Sequence, residues 1–189
     1  MKGRLYIFSG PAGVGKGTVL HIALERLSNI KYSVSCTTRA PRPGIDKEGE
    51  TYYFISEEEF RSRIAAGDFL EYADVHGHLY GTRRDIVESA LNAGIDIVLE
   101  IDVQGAAIVK RKMPEAVTVF VKPPSMEELR RRLEGRGSES AEERELRIKN
   151  AEAEIGCAER YDYVVVNDDL ERTVDEVINI VRKNREEPQ

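Results

Sequence analysis

Ser9-Gly10-Pro11-Ala12-Gly13-Val14-Gly15-Lys16-Gly17-Thr18 stands between an apolar run at 4–9 (RLYIFS) and a helix-like stretch at 15–27. Glycines at this spacing let successive backbone N–H groups turn inward around phosphate oxygens, the helix N-terminus adds partial positive charge, and Lys16 reaches the outer phosphates. The segment reads as a cradle for a nucleoside triphosphate, with every residue from Gly10 to Thr18 a candidate contact. The plainer alternative is a glycine-rich turn with an exposed lysine, but four glycines between a strand and a helix favour the cradle. The strict pattern puts Ser or Thr directly after the lysine. Here Gly17 intervenes, so magnesium is expected to be held mainly through phosphates and water, with Thr18 or Asp102 as the candidate protein contact.

Outward from the loop the chain alternates. Runs at 96–101 (DIVLEI), 117–122 (VTVFVK) and 162–166 (DYVVV) repeat the character of 4–9, that of strands buried on both faces. Helix-like stretches lie at 103–113, 125–135, near 140–160 and at 170–185. This β-α-β rhythm predicts an α/β fold, a three-layer P-loop architecture around a parallel sheet. Ser56 with Glu59, Ser125 with Glu128 and Ser140 with Glu143 have capping-box spacing. Residues 35–82 break the rhythm with a proline-rich loop, strand-like pieces (TYYF, FLEYADV, HLYGT) and one helix near 56–66, and are expected to form an inserted α+β subdomain. Residues 136–147 are polar and nearly free of apolar anchors, as in a solvated helix hairpin or lid. The expected division is a core of 1–34, 83–125 and 156–189, the subdomain 35–82, and a lid at 126–155.

Composition narrows the function. The 189 residues are 41% apolar and 33% charged, enough for one closed core, and the net charge of −6 disfavours a basic nucleic-acid binder, so any anion site must be locally basic. No apolar run approaches membrane-spanning length or forms a secretory leader, so the expected location is cytoplasmic, with no membrane partner. Cys36 and Cys157 lack ligand or disulfide spacing and read as buried or incidental thiols. His76 and His78 flank Gly77 in an expected hairpin turn, and they and His21 are assigned no chemistry.

The acceptor of the phosphoryl group is to be read from 35–82. In SCTTRAPRPG, residues 35–44, Arg39 and Arg42 are three apart on a loop stiffened by prolines, a pair able to grip one phosphate by forked hydrogen bonds. Solvated surface arginines are the bland alternative. Tyr52, Glu71, Tyr80 and Thr82 follow; the tyrosines taken alone would read as half-buried strand residues. Glu100 and Asp102, two apart near the end of a strand, face one side where ligands bind in parallel α/β sheets, although Asp102 could merely cap the next helix.

These segments together resemble the guanylate kinase family. The resemblance is carried by SGPAGVGKGT (9–18), SVSCTTRAPRPG (33–44), GETYYF (49–54), FLEYADVHGHLYGT (69–82), LEIDVQG (99–105), RRLEGRG (131–137) and VVNDDL (165–170), in the family's order and spacing. It implies transfer of the γ-phosphoryl group of ATP to GMP, giving ADP and GDP, with Mg2+ as cofactor and ATP and GMP as partners. Whether the chain acts as a monomer or homodimer is left open. By the same resemblance Ser35, Arg39, Arg42, Tyr52 and Tyr80 form the GMP-phosphate set, and Glu71 and Thr82 read guanine. Arg136 and Arg147 match lid arginines, and Arg132 and Asn167 fall where adenine is held. Glu100 and Asp102 remain candidates for the acceptor nucleotide or for magnesium-bound water.

The chemistry of the residues agrees. Guanine offers N1–H and its exocyclic amine side by side, and one carboxylate accepts both, whereas adenine turns an unprotonated ring nitrogen toward it. The acceptor is already an anionic oxygen, so catalysis rests on positioning and charge neutralisation by Lys16, Arg39, Arg42, Arg136 and Arg147. The subdomain and lid are expected to swing during turnover. A non-catalytic scaffold relative would lack the intact loop, and a kinase of phosphorylated ribose would have no use for Glu71.

Overall fold

The computed structural model describes residues 2–75, 77–134 and 141–186, the side chains of 141–144 excepted. Its strands are β1 (Leu5–Ser9), β2 (Ile30–Tyr32), β3 (Cys36–Thr37), β4 (Tyr53–Phe54), β5 (Phe69–Val75), β6 (His78–Arg83), β7 (Asp96–Glu100), β8 (Val117–Lys122) and β9 (Tyr163–Val166). The helices are α1 (Lys16–Glu25), α2 (Glu57–Ala66), α3 (Arg84–Asn92), α4 (Val103–Lys112), α5 (Met126–Glu134), α6 (Ala141–Ile155) and α7 (Leu170–Glu186). One sheet has the order β2-β7-β1-β8-β9, with β1–β8, β2–β7 and β8–β9 all parallel. The expected α/β class with a parallel core is observed.

The chain forms two compact units. One comprises Met1–Leu5, Ile30–Leu99 and Gln104–Ala116; the other comprises Tyr6–Asn29, Glu100–Val103 and Val117–Gln189. In the second, β1 is buried along its whole length and β8 in all but its last residue, as the unbroken apolar runs require. Helix α7 places Val174, Val177, Ile178 and Val181 in this core, and the Tyr6 hydroxyl donates to the Val181 carbonyl at 3.2 Å. Each large side chain fully buried here contributes about 1.5–3 kcal/mol. Helices α5 and α6 close a smaller cluster of Leu129, Leu133, Ile148 and Ala151.

The first unit holds a four-stranded sheet in the order β4-β3-β6-β5, mixed in direction: β3–β4 is parallel, whereas β3–β6 and β5–β6 are antiparallel. Beneath it Phe60 of α2 stacks on Phe69 of β5 at 4.4 Å between centroids, with Cys36 in the same cluster. A Cβ on Gly81 would come within 2.9 Å of both rings, so only glycine lets β6 lie this close.

Several expectations need correction. The sequence pattern does not anticipate the short, largely exposed β2 or the helix α3, which follows β6 directly and whose N-cap, Arg83, makes no side-chain cap. Strand β9 is not buried on both faces: it is an edge strand, with Val164 42% and Val166 36% exposed. The helix expected near 140–160 ends at Ile155, before Gly156, and a 3-10 turn at Ala158–Arg160 follows. In TYYF only Tyr53 and Phe54 are strand. Two capping boxes are half formed: Ser56 accepts from Glu59 N and Ser125 from Glu128 N, both at 3.1 Å, but the glutamates turn to arginines, Glu59 to Arg63 and Glu128 to Arg131 and Arg132. The box at Ser140 and the residue His76 lie outside the described residues, as does 135–140 of the expected lid.

Candidate active site

The glycine loop fills the turn from β1 into α1. Gly10, at φ 147°, leaves so little room that a Cβ would meet the Val121 carbonyl at 2.1 Å. Gly15, at φ 96°, caps α1 without a side-chain hydrogen bond, and no acid occupies the first turn. The helix therefore offers its N–H groups and positive dipole end to an anion. Lys16 folds back over the loop, donating to the Gly10 carbonyl at 2.5 Å.

The loop is braced by two residues expected at the adenine site. Asn167 Nδ2 donates to the Val14 carbonyl at 2.7 Å, and Arg132 reaches the same carbonyl at 3.1 Å through Nη1 while its Nη2 donates to the Asn167 carbonyl at 3.0 Å. Their polar hydrogens thus hold the cradle's shape. The flat guanidinium face, which needs no N–H, is the part of Arg132 suited to a base.

Glu100 ends β7 and Asp102 immediately precedes α4. A Cβ on Gly17 would lie 3.6 Å from Glu100 Oε2, which puts this carboxylate beside the start of α1 and leaves a small residue at 17 with room to spare. Glu154 on α6, unmarked by any sequence pattern, belongs to the same surroundings. Burial pushes its carboxyl up, the Lys16 ammonium lowers it, and Asp102 raises it further. Arg147 lies half-buried on α6, and Arg136 is outside the described residues.

In the other unit, one local irregularity sets the direction of Glu71 and Thr82, the pair expected to read the base. Phe69 faces Arg83 and Glu71 faces Thr82, so two residues on β5 advance against one on β6. Without this bulge, period-two alternation would turn Glu71 to the side where Phe69 packs. With it, Glu71 joins Thr82 on the opposite face. The Glu71 side chain is 4% exposed, and the Thr82 hydroxyl donates to its Oε1 at 2.6 Å.

Tyr80, two residues before Thr82 on β6, shares that face and packs edge-on against Tyr52 at 5.7 Å. The Arg39 guanidinium lies 5.4 Å from the Tyr52 ring centroid and 5.7 Å from that of Phe54. Arg39 and Arg42 converge, and what joins them is Asp46, which sequence reading missed; the available signal was an acid four residues after Arg42 in a turn. Ser35 is half-buried just before β3, its carbonyl accepting from Tyr53 N at 2.9 Å. Cys36 is buried and free, its thiol pushed up by burial.

A parallel α/β sheet with a glycine cradle at the end of its first strand defines a P-loop nucleotide-binding protein. Comparison with known proteins is specific. The family model described as guanylate kinase matches residues 2–184. A guanylate kinase of Thermotoga maritima is 49% identical over 185 residues, 98% of this chain and 89% of the relative, and one from Thermus thermophilus is 50% identical over 98% of this chain and 83% of the relative. The crystal structure of guanylate kinase from Anaplasma phagocytophilum superposes with a TM-score of 0.83 at 40% identity, covering 98% of this chain and 88% of that one. The chain belongs to the guanylate kinase family.

Proposed function

We propose that this chain is an ATP:GMP phosphotransferase, moving the γ-phosphoryl group of ATP to a phosphate oxygen of GMP and releasing ADP and GDP. The observation that carries the reading is the buried Glu71 carboxylate, one oxygen held by Thr82, on the same face as Tyr80. A carboxylate so placed accepts the paired guanine donors, and a base that presents an acceptor instead leaves two acceptors opposed.

On the donor side the residues from Gly10 to Thr18 would bind the ATP phosphates, with Lys16 leaving the Gly10 carbonyl to neutralise the migrating group. Arg132 and Asn167 would keep the cradle in shape and flank the base. On the acceptor side Arg39, Arg42, Tyr52, Tyr80 and Ser35 would bind the GMP phosphate, with Arg136 and Arg147 contributing charge from the lid. Because the nucleophile is already ionised, these groups act by position and charge rather than as general bases.

Magnesium fits this donor set as an ion that brings most of its ligands with it. Among the described residues no group of three or more His, Cys, Asp or Glu is arranged to hold a metal, whereas Mg2+ characteristically keeps phosphate oxygens and water. Thr18 and Asp102 are the residues that would hold its water shell, and its chemistry there would be to offset phosphate charge. No helix among the described residues is long and apolar enough to cross a membrane. We assign the enzyme to the cytoplasm with free nucleotides as its partners, acting as a monomer or homodimer.

A coupled assay offering ATP with GMP, AMP, CMP or UMP, run with and without magnesium, tests the reading. GMP should be phosphorylated at least about a hundredfold more efficiently than AMP, and only with the metal present. Equal GMP and AMP efficiencies would overturn it.

A further inference from the structure

One carboxylate in the acceptor loop has no part in the assignment above. The side chain of Asp46 has 0% exposure, covered by the two loop arginines with which it pairs. Oδ2 takes the Arg42 backbone N–H at 2.7 Å and Arg42 Nε at 3.0 Å and pairs with Arg39 Nη1 at 2.9 Å; Oδ1 takes Arg42 Nη2 at 2.9 Å. Its place is fixed by the chain, because the Ile45 and Asp46 amides both return to the Arg42 carbonyl, at 3.1 and 3.0 Å. The Arg42 guanidinium, first among the causes, holds this carboxyl well below the usual carboxylate range against the opposing effect of burial. The group is therefore an anion throughout the neutral range.

Two guanidinium groups brought to one spot repel each other and would each be better solvated apart. A carboxylate between them removes the repulsion and fixes both forks. Its grip on Arg39 is one-sided. Nη1 meets Asp46 and also the Ala40 carbonyl at 2.9 Å, the Tyr80 hydroxyl lies beside the same guanidinium, and Nη2 is buried with no hydrogen bond of good geometry among the described residues. A buried charged donor left unpaired is costly unless a ligand completes it. Phosphate, planar-fork compatible and doubly charged, is the ligand chemistry that suits it.

We infer that Asp46 is a positioning residue for the phosphate of the acceptor nucleotide: it clamps Arg39 and Arg42 from behind and leaves the second amino group of Arg39 aimed for a phosphoryl oxygen. Asp46 stays in place when the nucleotide binds, because it also completes the Arg42 turn. It touches neither substrate nor reacting atoms. This inference rests on the proposed GMP acceptor.

The test compares the full unmodified chain with Asp46→Asn, which keeps the size and removes the charge. KM for GMP should rise tenfold or more, while kcat at saturation and KM for ATP change less than threefold. Inhibition by guanosine, which has the base without the phosphate, should also change less than threefold. Three results would overturn the role: a GMP KM that is unchanged, one that falls (Asp46 would then compete with phosphate), or one that rises no more than the guanosine inhibition constant (a general collapse of the loop). An unmodified chain that fails to use GMP would instead reject the proposed function, so the two failures are separable.

Discussion

Thr82 donates its hydroxyl to Oε1 of Glu71 at 2.6 Å across one rung of the β5–β6 ladder. The bond fixes the orientation of a carboxylate whose two oxygens are both acceptors. Glu71→Gln replaces one acceptor oxygen with an amino donor, so the ratio of kcat/KM for GMP over AMP should fall at least about tenfold. Competition kinetics with both nucleotides measure it, and an unchanged ratio would remove Glu71 as the base reader.

Lys16 rests on a carbonyl of its own loop, at hydrogen-bond distance from Gly10. Lys16→Ala should reduce kcat by about 10²–10³ while GMP affinity, measured by titration without ATP, stays within threefold. A variant within tenfold of full turnover would show that the ammonium does not face the migrating group.

Gly15 is held at φ 96°, and a Cβ there would sit 2.6 Å from Asn167 Nδ2, itself bonded to Val14. Gly15→Ala should cost about 1–3 kcal/mol of folding stability and raise KM for ATP more than KM for GMP. Urea unfolding and paired Michaelis analyses check both parts.

Asp46 has its folded titration point below that of an unfolded aspartate, about 3.9. A group depressed in this way contributes stability that is complete above about pH 4 and is lost as pH falls further. The stability gap between the unmodified chain and Asp46→Asn should be constant from pH 8 to pH 5 and shrink toward pH 3. Denaturant titrations of the two proteins across that range read it directly.

Cys36 lies in the Phe60–Phe69 cluster with its thiol pushed up by burial, while Cys157 is partly exposed. Iodoacetamide at pH 8 should label Cys157 well before Cys36 in the native chain, and both alike in urea, as peptide mass analysis would reveal.

Much of this was legible beforehand for identifiable reasons. The cradle is encoded residue by residue, since glycines at 10 and 15 meet needs that no other side chain fills. β1, β7 and β8 announce themselves because strands covered on both sides must be apolar throughout. What escaped depends on non-local geometry. Nothing in FLEYADV reveals that Leu70 is the extra residue that turns Glu71 toward Thr82. Asp46 reads as a loop acid until two guanidinium groups are seen to close on it. β9 passes for a central strand because valines exposed at an edge and valines in a core are written identically, and α3 hides because no cap or turn separates it from β6.

Because α1 begins without a side-chain cap, the proposed donor nucleotide would complete a piece of secondary structure as well as react. A phosphate seated there would satisfy the open N–H groups of the first turn, so that donor binding would add to the stability of the fold. At a nucleotide level about a hundred times the dissociation constant the native state gains about 2.7 kcal/mol.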